Sequence, residues 1–280
     1  MADIYGSHFE YAGVESRTYG LILSSAGSER FDGLASDIEG ITVYTKKYNR
    51  HYLVNTDYST PLSFDIDIVI DGDTPLSQSD RRAVERWLFN RGGYRKLYID
   101  MADDVNAETY ELIDGEQKRL YLNCRFINPV RLLYNGGVAG YRATLEADSP
   151  YWWQDAVVKE FDFSGNLPTT ETEVTVEVDS DPDDYIYPKI TIEMDSTAVS
   201  GNNAINIRNA TDANFEMTRI EGITQAAVIV IDSTTNYVTG QYYHKMVYKN
   251  FPRLVNGNNT VAVQGKIKKI TFEYSNRRFF

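Results

Sequence analysis

Histidine and cysteine are the side chains that most often supply a base, a nucleophile or a metal ligand near neutral pH, and this chain has few of them. Its three histidines, His8, His51 and His244, are widely separated and form no H-x-x-x-H or other metal-ligand spacing. The single cysteine, Cys124, lies inside an apparent strand, so an intrachain disulfide is excluded. We therefore expect ordinary histidines, a buried and unreactive thiol, and no metal site.

The sequence motifs of common enzyme classes are also missing. The chain contains no G-x-S-x-G, no G-x-x-x-x-G-K-[ST] and no G-x-G-x-x-G, which are the signatures of serine hydrolases, P-loop proteins and Rossmann domains. Paired carboxylates of a glycoside hydrolase come from distant segments, so sequence spacing neither supports nor excludes them. The motif pattern favours a protein that is not an enzyme and holds no cofactor.

Two stretches of the chain are rich in aspartate and are candidates for a cation site. "DSDPDD" at 179–184 places Asp179, Asp181 and Asp183 at the spacing of a calcium loop, but its sixth position is not glycine and its twelfth is not glutamate. A solvated loop is the favoured interpretation, and a weak cation site is the alternative. The other stretch, "DIDIVIDGD" at 65–73, alternates like a strand and runs into a turn, and we expect its carboxylates to lie in water.

The charge balance is acidic. Forty Asp and Glu residues against 28 Lys and Arg residues give a formal net charge of −12. Such a surface repels phosphate backbones, so sequence-reading nucleic-acid binding is disfavoured. No run of about 18 apolar residues occurs, so we expect no membrane insertion, and the first residues lack a signal-peptide pattern. A single cysteine and no leader predict synthesis in a reducing cytoplasm.

One helix is predicted, from about Ser77 to Arg91. Ser77 is a plausible N-cap with Asp80 in the first turn, and Gly92-Gly93 would end the helix. The apolar stripe consists of Ala83, Val84, Trp87 and Leu88. We expect Val84, Trp87 and Leu88 to form the core contact of this helix.

The rest of the chain shows the two-residue period of β-strands. The stretch 61–70 alternates cleanly, 94–99 follows the helix as a strand, and two or three further strands precede Tyr151, with a glycine turn at Gly136-Gly137. From about residue 170 short strands alternate with Asn, Gly, Asp, Ser and Thr turns, as in a β-sandwich or barrel. The sequence thus predicts a mostly β chain, with a β-rich α+β domain over residues 1–152 that contains one main helix, and an all-β domain over residues 153–280.

An aromatic segment marks the predicted boundary. "LEADSPYWWQD" at 145–155 contains Pro150, Tyr151, Trp152 and Trp153 in succession. Rings beside polar groups can stack on sugars or bases, and exposed aromatics are common in protein contacts. The favoured interpretation is a domain junction, in which the rings are buried, with ligand stacking and a protein contact as alternatives.

The order of these parts resembles the distal tail protein (Dit) family of long-tailed bacteriophages. The resemblance covers nearly the whole chain and depends on four pieces in order. They are "Y-x-G-x-x-L" (as Y-G-x-x-L at Tyr19, Gly20 and Leu23), the "W-L-F" helix (Trp87, Leu88, Phe89), the junction "LEADSPYW", and "F-x-R-L-x-x-G-x-N" (Phe251, Arg253, Leu254, Gly257, Asn259).

The resemblance implies a structural protein of the virion. Members form a homohexameric ring through the N-terminal domain at the distal end of the tail tube, and their C-terminal domain is a galectin-like antiparallel β-sandwich. Implied partners are further copies of the chain, the tail-tube protein, the tail-associated hub protein and the adhesin or receptor-binding proteins. DNA would only pass through the channel. The chain resembles the short form of the family, which has no inserted carbohydrate-binding module.

Ring assembly needs a segment that reaches a neighbouring subunit. The polar, tyrosine-containing stretch between Gly27 and Tyr58 suits an extended arm better than a compact core, and its candidate contact residues are Phe31, Ile41, Tyr44, Tyr48 and Tyr52.

Two other functions are alternatives. A carbohydrate-binding sandwich is disfavoured because no tryptophan follows Trp153, although tyrosine side chains could still form a sugar-binding platform. A cell-wall hydrolase is disfavoured because the chain has no metal-binding or nucleophile motif.

Overall fold

The chain is mostly β-structure, as the sequence predicts, and it forms two compact units. The computed structural model describes residues 6–25, 39–57, 60–89, 92–99, 110–113, 116–199, 203–212, 217–224 and 226–279. The N-terminal unit consists of Met1–Gln154 together with Arg278–Phe280, and the C-terminal unit of Asp155–Arg277. None of the described helices is long and apolar enough to cross a membrane.

The N-terminal unit contains one α-helix and a large antiparallel sheet. The helix α1 spans Gln78–Leu88, and a 3-10 helix spans Ser16–Tyr19. The strands are β1 (Phe9–Tyr11), β2 (Val14–Glu15), β3 (Leu21–Ser25), β4 (Glu39–Thr45), β5 (Arg50–Asp57), β6 (Ser63–Ile70), β7 (Arg95–Ile99), β8 (Tyr110–Ile113), β9 (Glu116–Tyr134), β10 (Gly137–Ala147) and β11 (Trp152–Gln154). Along the main path of the sheet the order is β2-β1-β7-β9-β10-β6-β3, with β8 and β11 pairing with β9.

The predicted helix is present and begins at the predicted cap. The Ser77 hydroxyl accepts the Asp80 backbone N–H at 3.1 Å, which satisfies one of the donors that a helix N-terminus leaves open. The helix ends at Leu88, before the predicted end, and residues 90–91 lie outside the described residues. Val84, Trp87 and Leu88 are its buried side chains.

Trp87 lies in the middle of the N-terminal core. Its ring stacks on Phe9 with centroids 5.6 Å apart and planes 7° apart, and Tyr19 lies 5.6 Å away in a tilted arrangement. The indole Nε1–H donates to the Tyr11 backbone carbonyl at 2.7 Å. A large aromatic side chain can be fully buried at low cost only when its polar atom finds a partner, and this hydrogen bond supplies that partner. The helix is thereby fixed against β1.

The C-terminal unit is a β-sandwich of two five-stranded antiparallel sheets. Two 3-10 helices, Ser196–Val199 and Gly240–Lys245, are its described helical segments. The strands are β12 (Val157–Asp162), β13 (Thr172–Val178), β14 (Lys189–Met194), β15 (Asn203–Asn209), β16 (Met217–Ile223), β17 (Val228–Asp232), β18 (Tyr237–Val238), β19 (Met246–Tyr248), β20 (Gly257–Gln264) and β21 (Ile267–Tyr274). The last strand of the chain, β22 (Arg277–Arg278), belongs to the large sheet of the N-terminal unit. One sheet has the order β12-β21-β14-β17-β18 and the other β13-β20-β15-β16-β19.

Each sheet of the sandwich buries one face. Along β13, Val174, Val176 and Val178 are buried while the residues between them are exposed, and β14 buries Ile190 and Ile192 in the same way. This alternation is the pattern from which the sequence predicts the sandwich. The two sheets are also linked by a hydrogen bond from the Tyr274 hydroxyl to the Glu177 carbonyl.

Candidate assembly surface

The histidines and the cysteine occupy ordinary structural positions. His8 lies with Nδ1 3.1 Å from the Leu21 carbonyl oxygen, and His51 packs against the Tyr44 ring. His244 lies in a 3-10 helix against Tyr243. Among the described residues, no three His, Cys, Asp or Glu side chains come together to hold a metal ion. Burial raises the pKa of the Cys124 thiol well above its usual value, and the nearby Asp148 carboxylate raises it further.

The acidic stretch 65–73 differs from the sequence expectation at one residue. Asp65 and Asp71 are exposed, but Asp67 is buried and forms a two-point ion pair with Arg142, at 2.8 Å for both hydrogen bonds. The expectation that these carboxylates lie in water is therefore wrong for Asp67. The reason is the strand pairing, which places Arg142 of β10 directly opposite Asp67 of β6. A planar guanidinium satisfies both carboxylate oxygens, so the charge is tolerated at low exposure.

The second acidic stretch is a surface loop tied to the sandwich. Asp181 and Asp183 are exposed, whereas Asp184 accepts from Arg277 Nη1 at 3.0 Å and from the Tyr185 backbone N–H at 2.8 Å. By accepting these two hydrogen bonds, the Asp184 carboxylate stabilises the conformation of the loop.

The four residues of the aromatic segment occupy different environments. Pro150 and Trp152 are buried, and Trp152 belongs to the same hydrophobic core as Trp87. Trp153 points to the other face of β11, where its Nε1–H donates to the Ser149 hydroxyl at 3.0 Å and its ring meets Tyr151 edge-on at 5.1 Å. Strand alternation explains the split, because adjacent residues face opposite sides. The junction role of the segment concerns both units together and stays a prediction.

The face of the sheet that carries Trp153 also carries aromatic rings interleaved with cations. Trp153 pairs in register with Tyr121 of β9, and Lys96 Nζ lies 3.8 Å from the centroid of the Tyr121 ring. Arg119 lies 4.1 Å from the Tyr98 ring centroid and also pairs with Glu10 at 3.0 Å. Cation–π contacts of this kind fix side chains on an outer sheet face, and they indicate that these rings are held by the N-terminal unit itself.

The "F-x-R-L-x-x-G-x-N" segment of the resemblance is a structural clamp in the C-terminal unit. Arg253 makes a two-point ion pair with the buried Asp212, with Nε 2.6 Å from Oδ2, and its guanidinium lies 3.8 Å from the Tyr185 ring centroid. These contacts, chiefly the hydrogen bond with Asp212, raise the pKa of Arg253. Gly257 has a positive φ of 90°, a backbone conformation that favours glycine.

Asn259 is the fully buried end of this clamp. Its Oδ1 accepts from Asn209 Nδ2 and from the Val255 N–H, both at 2.8 Å. Its Nδ2 donates to the backbone carbonyls of Val255, Gly257 and Val176 at 2.8, 3.0 and 3.2 Å. One amide side chain therefore connects the loop before β20 to β13 and β15. The motif therefore positions the loops of the sandwich.

The predicted arm contains an isolated hairpin. Strands β4 and β5 form a two-stranded sheet of their own, and among the described residues no other strand pairs with them. Every described side chain from Gly40 to Leu53 is exposed except Thr45, which is half-buried. Phe31 lies outside the described residues. A two-stranded hairpin alone is marginally stable in water, and contact with a further surface would stabilise this element.

Both faces of this hairpin carry apolar side chains. Val43 and Tyr52 are register partners on one face, with Ile41 beside them, and they are 53, 46 and 46% exposed. The other face carries Leu53, 64% exposed, and Tyr44, 47% exposed. Val43 and Leu53 are not among the residues predicted from the sequence. The alternation of Val43 with Ile41 is a signal that indicates Val43, whereas Leu53 follows Tyr52 directly and alternates with no predicted contact residue.

The far end of β9 is a second exposed apolar surface. Beyond Cys124, β9 pairs with β10 on one side, and no strand of the described residues pairs with its other side. Val130, Leu133 and Tyr134 in this stretch are 59, 74 and 51% exposed. A free strand edge beside exposed apolar side chains is typical of a site where another chain binds.

Comparison with known proteins identifies the family. A family model described as a phage tail protein N-terminal domain matches residues 4–149, and a model described as a phage tail C-terminal domain matches residues 152–274. The chain belongs to this family of phage tail proteins. It is therefore a virion component of a structural family, in agreement with the resemblance in the sequence.

The fold agrees with solved phage structures along the whole chain. The crystal structure of the SPP1 Dit (gp 19.1) protein, described as a paradigm of the hub adsorption apparatus in phages that infect Gram-positive bacteria, matches with a TM-score of 0.59 and 12% identity, over 97% of this chain and 98% of that one. A chain of the phage P2 baseplate in its activated conformation with Ca matches with a TM-score of 0.53 and 8% identity, over 98% and 99%. No curated protein gives a significant sequence match.

Proposed function

We propose that this tail protein forms a homohexameric ring at the distal end of the phage tail tube. The N-terminal unit forms the ring, and the ring connects the tube to the tail-tip hub and the adhesion apparatus while leaving a channel for DNA. The C-terminal unit is then a galectin-like module of each subunit. Family membership and the shared fold with the SPP1 Dit protein support the assignment.

The observation that carries the proposal is the isolated hairpin of β4 and β5. A ring of identical subunits needs a head-to-tail contact, in which two different surfaces of each copy meet. The hairpin and the exposed end of β9 are two such surfaces, and both lie in the N-terminal unit. Complete burial of an aliphatic side chain contributes about 1.5 to 3 kcal/mol, and because Ile41, Val43 and Leu53 are already about half buried, each would add roughly 1 to 1.5 kcal/mol. Three of them give roughly 3 to 5 kcal/mol per contact, which strengthens association by about 100-fold or more.

Light scattering after size exclusion and native mass spectrometry of the full chain test this proposal. We expect a species of six copies, and negative-stain images that show rings. The variant Ile41→Ser/Val43→Ser/Leu53→Ser should remain folded but monomeric, because these side chains make no core contact within the described fold. Rings that persist in this variant would contradict the role of the hairpin.

A matched control separates loss of a contact from a general change of surface. Val158 and Val228 of the C-terminal unit are 56 and 55% exposed, close to the 53% of Val43. Val158→Ser/Val228→Ser should leave the ring intact. Equal loss of assembly in both variants would show that surface apolarity, and not the hairpin, drives association.

The carbohydrate-binding alternative depends on tyrosine rings in the C-terminal unit, where Tyr187, Tyr237 and Tyr248 are exposed. All three tryptophans of the chain, Trp87, Trp152 and Trp153, belong to the N-terminal unit. A glycan array with the full chain distinguishes the two functions, because a structural ring protein is expected to retain no glycan.

A further inference from the structure

The turn of the exposed hairpin concentrates positive charge in an acidic protein. The segment Tyr44–Tyr52, called the hairpin tip below, has the sequence "YTKKYNRHY", with three cations and no carboxylate. The whole chain has 40 acidic and 28 basic side chains, so the residues outside the tip carry 25 cations against 40 acids, a formal charge of −15. The tip is therefore opposite in charge to the rest of the molecule.

No carboxylate partner among the described residues holds the three cations of the tip, and Lys47 Nζ lies 5.6 Å from the ring centroid of its neighbour Tyr48. Arg142, Arg253 and Arg119 are each paired with a carboxylate at 3.0 Å or less. Lys46, Lys47 and Arg50 are exposed, and none of them has an ion pair with a described carboxylate. Exposed cations that no carboxylate of their own subunit neutralises are available to carboxylates of a second molecule.

The tip has a defined geometry. The Tyr48 N–H bonds to the Thr45 carbonyl at 3.2 Å, and Asn49 has a positive φ of 48° that closes the turn. The Tyr44 hydroxyl donates to Asn49 Oδ1 at 2.5 Å, and the Tyr44 ring packs against His51 at 5.0 Å. These contacts stabilise one conformation of the turn, from which Lys46, Lys47 and Arg50 extend into solvent.

We propose that the hairpin tip docks on an acidic surface of a second copy of this chain. Lys46, Lys47 and Arg50 then pair with carboxylates of that copy while the apolar residues behind the tip cover its neighbouring surface. This inference rests on the proposed ring and specifies the chemistry of its contact. A second copy offers the required surface, since it carries a net charge of −12.

Nucleic acid fits the same element less well. Three cations would have to overcome the charge of −15 on the remainder of the chain, which repels phosphates. Ile41, Val43 and Leu53 lie directly behind the tip and need apolar surface, which a phosphate backbone does not offer. A protein surface satisfies both the charged and the apolar part of the hairpin.

Zero-length carbodiimide coupling of mixed unlabelled and 15N-labelled full chains tests the inference. Mass spectrometry should find amide links between Lys46 or Lys47 of one isotopic form and an Asp or Glu of the other. In parallel, the charge-reversed tip Lys46→Glu/Lys47→Glu/Arg50→Glu should weaken each contact by roughly 10-fold or more, because exposed ion pairs contribute a few-fold each. Raising the salt concentration should weaken assembly of the parent chain in the same direction.

The control carries the same change in charge on the C-terminal unit. Lys159→Glu/Lys249→Glu/Lys268→Glu should assemble as the parent does. If both triple variants lose assembly equally, general repulsion explains the effect and the inference is overturned. If the reversed tip assembles normally, the inference fails while the ring proposal stands.

Two outcomes separate the remaining explanations. A parent chain that stays monomeric under all conditions overturns both the ring and the docking of the tip. Binding of the parent to double-stranded DNA in a mobility-shift assay, lost in the reversed tip, would assign the tip to nucleic acid and overturn docking on a second copy.

Discussion

Replacing Asn259 with alanine is the sharpest test of how the C-terminal unit is held together. The side chain is fully buried and bonds to the backbones of Val255, Gly257 and Val176 and to the side chain of Asn209. Alanine removes the partner of these groups at a position that is fully buried. A buried polar group left unsatisfied costs about 1 to 3 kcal/mol, and two or three of them give a loss of about 4 kcal/mol.

That loss is large but compatible with a folded protein. Domains are stable by about 5 to 15 kcal/mol, so Asn259→Ala should fold and open far more often than the parent. Native-state hydrogen exchange, read by mass spectrometry on peptides that cover β13 and β20, measures this opening directly. Because about 1.4 kcal/mol corresponds to a factor of ten, exchange there should be on the order of 1000-fold faster.

The neighbouring residue supplies the control. Asn258 is exposed, and its replacement with alanine should change exchange by less than about threefold. Peptides of β6 in the N-terminal unit act as an internal reference, because all the partners of Asn259 lie in the C-terminal unit. Exchange in β13 that rises less than fivefold in Asn259→Ala, or equally in both variants, would refute the clamp.

Three further tests address the N-terminal unit. Trp87→Phe keeps a ring against Phe9 but removes the donor to the Tyr11 carbonyl. Urea denaturation followed by circular dichroism should show that the free energy of unfolding falls by about 2 kcal/mol in Trp87→Phe and by about 4 to 5 kcal/mol in Trp87→Ala. No fall in Trp87→Phe would show that the hydrogen bond contributes nothing. The buried Cys124 should react with a disulfide reagent at pH 8 at least about 1000-fold more slowly than a free thiol. It should become reactive as urea opens the N-terminal unit. Fast labelling in buffer without urea would contradict its burial. Burial, together with the charge and hydrogen bond of Glu85, raises the pKa of Tyr141, so the stability from its protonated phenol is complete below the ordinary pKa near 10 and is lost as the pH rises above it. Tyr141→Phe should therefore flatten the fall in the free energy of unfolding above pH 10, and a slope equal to that of the parent would be the contrary result.

Local patterns account for the secondary structure that the sequence predicts correctly. The helix begins at Ser77 because a hydroxyl at that position satisfies a backbone donor, and this needs no information from outside the segment. The strand over Lys189–Met194 follows its alternation of apolar and polar residues without error. The turn before β10 is centred on Asn135 and Gly136, both with positive φ, one residue earlier than the predicted glycine pair.

The candidate assembly surface is only partly visible in the sequence. The tyrosines of the arm are conspicuous in a polar stretch, which is why Tyr44, Tyr48 and Tyr52 were predicted as contact residues. Their isolation from the rest of the fold is not visible, because a strand that pairs with one partner has the same alternation as a strand inside a sheet. The apolar end of β9 escaped prediction for the same reason, since exposure depends on which neighbours the sheet provides.

The sequence by itself determined a mostly β chain with one capped helix and a net acidic charge, since these follow from residue type and short-range spacing. Only the tertiary structure decided that Asp67 is buried opposite Arg142 and that Asn259 joins β13 to the loop before β20. Those partners are 75 and 83 residues apart in the chain. Contacts at such separations depend on strand register, and register is set by the packing of the whole sheet.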